Sequence, residues 1–117
     1  MKFTYNCNQC TASIEIELEP IDKQGSYYRE LVTKDFKSFL NRYYRPDISS
    51  KIPCISWSFV ILESNQKIGF HVEMDCSNIP NNIHKLAEEL YEVAQRQITQ
   101  AIDDYTKVLT ILKMNAA

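Results

Sequence analysis

The chain has 117 residues, a hydrophobic fraction of 44%, a charged fraction of 24% and a formal net charge of −2. These values describe one globular domain over residues 1–117, which the periodicities along the chain make α+β, and exclude a disordered chain or a strongly basic nucleic-acid coat. No apolar run approaches the roughly 18 residues needed to span a bilayer. The opening KFTYNCNQC also lacks the apolar stretch of a signal peptide. The expectation is a cytoplasmic protein without membrane contact, where thiols stay reduced and clustered cysteines point to metal chemistry more than to disulfides.

Residues 2–6 suit a short strand with Phe3 and Tyr5 on one face, interrupted by Cys7-Asn8-Gln9-Cys10. Ser13 to Glu19 then alternates, with Ile14, Ile16 and Leu18 against three glutamates, the pattern of a half-wet strand. Pro20 ends it. A loop with Gly25 follows. Thr33 is placed to cap a helix that carries Phe36, Phe39, Leu40 and Tyr43 at helical spacing. That helix has room to begin as early as Tyr28, and Pro46 stops it.

Cys54 to Cys76 reads as a hairpin. Ile55, Trp57, Phe59 and Ile61 alternate in the first arm, and Ile68, Phe70, Val72 and Met74 in the second. A two-residue turn at Ser64-Asn65 pairs Glu63 with Gln66, Phe59 with Phe70 and Trp57 with Val72, and it sets Cys54 beside Asp75. Ser77 to Asn82 forms a turn. From Ile83 to Leu112 an apolar face recurs at helical spacing, with a candidate break at Asp103-Asp104. The expected fold is a three- to four-stranded, mostly antiparallel sheet with two helices on one face. Its order is β(β)-α-β-β-α, with a long C-terminal helix. The other sheet face, with Glu15, Glu17, Glu19, Ser56, Ser58, His71 and Glu73, faces water.

Four cysteines are present. Cys7 and Cys10 form a Cys-x-x-Cys turn, and Cys54 and Cys76 stand at the open end of the hairpin. Tetrahedral zinc takes four thiolates, often two from such a turn, and a full set of protein ligands makes the ion structural. The segment FTYNCNQCTASIEIE resembles the knuckle of zinc-ribbon proteins: aromatic strand, Cys-x-x-Cys turn, returning strand. The resemblance covers residues 3–18 and implies a zinc-knuckle-like N-terminal hairpin. The alternatives are inert buried thiols, disulfides or a redox pair, although a thioredoxin-type motif opens a helix and this one precedes a strand. His84 is a further candidate ligand.

Ser58, His71 and Glu73 share a sheet face, but a flat face offers neither pocket nor oxyanion hole, so the chain is expected not to be an enzyme. Tyr28 and Arg29, with Arg42, Tyr44 and Arg45, interleave rings with guanidinium groups. That pattern serves single-stranded nucleic acid or a protein interface. The leading expectation is a non-enzymatic protein–protein interaction module of adaptor, inhibitor or immunity type. It carries a structural zinc site of four cysteines and forms a homodimer through the C-terminal helix. The alternative is a nucleic-acid-binding module using segment 27–45.

Overall fold

The structure is a computed structural model. It describes residues 1–48, 54–62 and 67–116, without the side chains of residues 54, 55, 78 and 113–116. The expected Ser64-Asn65 turn lies outside the described residues.

Four strands form one antiparallel sheet: β1 (Phe3–Cys7), β2 (Thr11–Glu17), β3 (Cys54–Leu62) and β4 (Lys67–Asp75). Their spatial order is β1-β2-β4-β3. Each hairpin pairs locally, and the two are joined by β2 against β4, with Ile14 opposite Val72 and Ile16 opposite Phe70. Helix α1 (Lys34–Tyr43) follows the first hairpin, and α2 (Ile83–Ala116) follows the second. The α+β class, the element order and the long C-terminal helix are as the sequence led us to expect.

Alternation explains the layers. Ala12, Ile14, Ile16 and Leu18 of the β2 segment and Ile68, Phe70, Val72 and Met74 of β4 are buried. They meet Phe36 and Leu40 of α1 and Leu86, Leu90, Ala94, Ile98 and Ile102 of α2 in one cluster. The hydroxyl of Thr33 accepts the Phe36 N–H at 3.1 Å, so the expected cap starts α1. Upstream, Arg29–Leu31 forms only a 3-10 turn, and α1 does not reach back to Tyr28.

Helix α2 is continuous through Asp103-Asp104. Asn82 caps its start, accepting the Lys85 N–H at 3.1 Å. At 34 residues it is about 51 Å long, against about 30 Å for a nine-residue strand. Burial along it runs to Ile102, and Tyr105 and Leu109 are still packed against the cluster. Beyond the sheet, Val108, Ile111 and Leu112 are 45%, 57% and 58% exposed.

Two helix amides tie the sheet to its cover. Asn41 of α1 bonds both the N–H and the C=O of Phe59 in β3. Gln95 of α2 does the same for Glu19, just past β2, at 2.9 and 2.7 Å. On the uncovered face, Leu62 lies across the Gly69 backbone so closely that a Cβ there would meet its Cδ1 at 3.0 Å.

Candidate metal centre

The cysteine corner is built by the ends of the strands. Strand β1 finishes at Cys7, and Asn8 shapes the turn: its Oδ1 accepts the N–H of Cys10 at 3.1 Å and of Thr11 at 2.9 Å. Strand β4 ends at Asp75, whose Oδ1 accepts the Ser77 N–H at 3.0 Å and starts a 3-10 turn at Cys76–Asn78. That turn carries Cys76 out of the sheet and over the knuckle. Its N–H donates to the Cys10 carbonyl at 3.2 Å, and its thiol donates to the Asn8 carbonyl at 3.1 Å. The Sγ atoms of Cys7 and Cys76 stand 3.3 Å apart. Cys7, Cys10 and Cys76 carry free thiols.

The hydrogen bond to Cys7, followed by burial and by the Cys7, Asp75 and Cys10 charges, pushes the Cys76 thiol up to about 11. Burial and the thiols of Cys7 and Cys76 raise the Tyr5 hydroxyl. A protonated Cys76 is a weak nucleophile at neutral pH.

Cys54 is placed by backbone alone. An irregularity between Cys54 and Ser56 shifts the register, so Cys54 stands opposite Met74. Unbroken alternation would set it beside Asp75, and one extra residue at the bulge changes its parity. Cys7, Ala12, Met74 and Cys54 thereby fall in one cross-strand row. Among the described residues, no three ligating side chains stand as a closed group. His84 is not at this corner: its ring packs edge-on against Phe3, at the far end of β1.

The Arg/Tyr set lies elsewhere, along the line where α1 and the preceding loop meet α2. The Tyr44 hydroxyl donates to Asp104 Oδ2. The Tyr28 hydroxyl bonds Asp22 and feels the charge of Asp103. Burial, then Asp104, raises the Tyr44 hydroxyl above its ordinary value. Arg29, Arg42 and Arg45 are exposed, with the Arg42 guanidinium 5.6 Å from the centre of the Tyr43 ring. The acidic pair Asp103-Asp104 at the middle of this set has no signal in the sequence beyond that of a candidate helix break.

On the open sheet face, His71 is braced from both sides. Glu15 lies 3.2 Å from Nδ1 and Glu73 lies 3.4 Å from Nε2. Ser58 is opposite His71 in register, as expected. Glu15, which the sequence does not tie to this cluster, arrives through the β2–β4 pairing.

Among the described residues, no helix is long and apolar enough to cross a membrane. Comparison with protein-family models, with curated proteins and with solved structures finds no match to the chain.

Proposed function

We propose that this chain is a non-enzymatic protein-binding module, of adaptor, inhibitor or immunity type, that works in the reducing cytoplasm. Its contact surface is the last third of α2, and a second copy of the chain is its first partner. The observation that carries this reading is the overhang of α2. A stripe at Val108, Ile111 and Leu112 continues the buried face of the helix into solvent. A stripe at this spacing fits another helix, and an isologous pair buries it in a closed dimer. That the chain is non-enzymatic is part of this proposal; on the sheet face, both nitrogens of His71 are engaged by carboxylates.

The nucleic-acid reading of segment 27–45 has less support. The Tyr28 and Tyr44 hydroxyls are held by aspartates, and the Asp103-Asp104 pair beside them repels phosphate.

Light scattering across a concentration series tests the proposal. A dimer is expected, and Ile111→Glu with Leu112→Glu is expected to return it to monomer while its far-UV circular dichroism stays that of the folded chain. A monomer at every concentration, or a dimer indifferent to these substitutions, overturns it. Salt-dependent binding to oligonucleotides would transfer the function to the arginine segment.

A further inference from the structure

We propose that Cys7, Cys10, Cys76 and Cys54 bind one zinc ion that fastens the two hairpins together at one end of the sheet. This inference is independent of self-association through α2. All four cysteines belong to the same sheet end: Cys7 closes β1, Cys10 precedes β2, Cys76 follows β4 and Cys54 opens β3. The pair from the two different hairpins is already formed, with Sγ atoms 3.3 Å apart. Zinc–sulfur bonds near 2.3 Å set a tetrahedral edge of about 3.8 Å, so the pair needs to open by roughly 0.5 Å to seat an ion. Cys10 is held against this pair by the bond from the Cys76 N–H to its carbonyl. Two thiols from two hairpins thus meet, and the backbone of a third cysteine is tied to one of them.

Cys54 completes the set. Its row, from Cys7 through Ala12 and Met74 to Cys54, is about 14 Å long at three inter-strand spacings. The start of β3 must therefore curl toward Cys76 to bring in the fourth thiolate. Cys54 is still paired, opposite Met74, and the irregularity between Cys54 and Ser56 is the place where the ladder would have to give way. Thiolate ligands select zinc over magnesium or calcium, and four of them leave no open position, so the ion is a structural clasp. Each bound thiol gives up its proton to solvent as the ion enters.

The full chain, purified under reductant, is analysed for zinc, and its metal-free form is titrated with cobalt(II). One zinc per chain is expected, with all four thiols unreactive until a chelator is added. Cobalt should give the absorption of a tetrahedral thiolate site. Cys7→Ser and Cys76→Ser should each weaken binding at least tenfold, and Cys54→Ser should shift the cobalt spectrum to that of a three-sulfur site. Four reactive thiols without zinc and no cobalt–thiolate absorption in the unaltered chain would overturn the proposal, whatever the variants do. A Cys54→Ser spectrum identical to that of the unaltered chain overturns the assignment of Cys54.

Discussion

Asn41 holds Phe59 by both of its backbone groups: Nδ2 donates to the Phe59 carbonyl at 2.9 Å, and Oδ1 accepts the Phe59 N–H at 2.8 Å. Strand β3 is the outer strand on its side of the sheet, so these groups point away from β4. The amide therefore stands where a fifth strand would pair, and it closes the edge at its centre.

Asn41→Ala is expected to lower stability by about 1–3 kcal/mol, because two half-buried backbone groups lose their partner at once. Asn41→Asp keeps an acceptor for the N–H but sets a carboxylate against the Phe59 carbonyl, so it should be no better than alanine. Urea unfolding midpoints measure both. Equal midpoints for Asn41→Ala and the unaltered chain would remove the amide from any role in the fold.

Tyr44→Phe should cost about 1 kcal/mol, less than a fully buried hydrogen bond to a carboxylate, because the site is only partly shielded from water. Burial and Asp104 raise the Tyr44 hydroxyl above 10.0 in the folded chain. The folded state therefore holds this proton more tightly than the unfolded state. Its contribution is fully present below about pH 10 and is lost as pH rises through the folded value. The difference between Tyr44→Phe and the unaltered chain should narrow in alkali. Thermal unfolding at about pH 8 and about pH 11 provides the comparison.

Asp22 contributes on the acid side. It is 8% exposed, in the loop that turns through Gly25 at a φ of 87°. Burial pushes its carboxyl up, but the Ser26 N–H, the Tyr28 hydroxyl and the Gln24 and Gly25 N–H groups outweigh that and hold it below 3.8. A depressed folded value gives stability above the unfolded value and removes it as pH falls through the folded one. Asp22→Asn should therefore be less stable than the unaltered chain at about pH 7, and the gap should shrink toward about pH 2. A gap independent of pH would mean that the loop does not use the charge.

Local periodicity made most elements legible. Alternation in both hairpin arms set Phe59 against Phe70 and Trp57 against Val72, and the structure has both pairs. Thr33 and Pro46 bracketed α1 because capping and proline geometry act within a few residues. What was not legible depends on distant partners. The bulge at Cys54 carries no glycine to announce it, and it reverses the parity of that one residue. Asn41 lies off the apolar stripe of α1, and nothing local says that an outer strand needs its amide. Gln95 is the same case on α2. The pairing of β2 with β4 joins segments more than fifty residues apart, and with it came Glu15 beside His71.

The unbroken run of α2 through Asp103-Asp104 makes the helix a lever. Its packed length, up to Leu109, moves with the sheet, and Ala116 lies about 10 Å beyond that fulcrum. One degree of tilt at the packed end displaces the tip by about 0.2 Å. Leu112, 58% exposed, therefore rides on an arm whose direction is set by how α2 is seated on the strands. Tyr44, bonded to Asp104, is one of the ties that fix that seat.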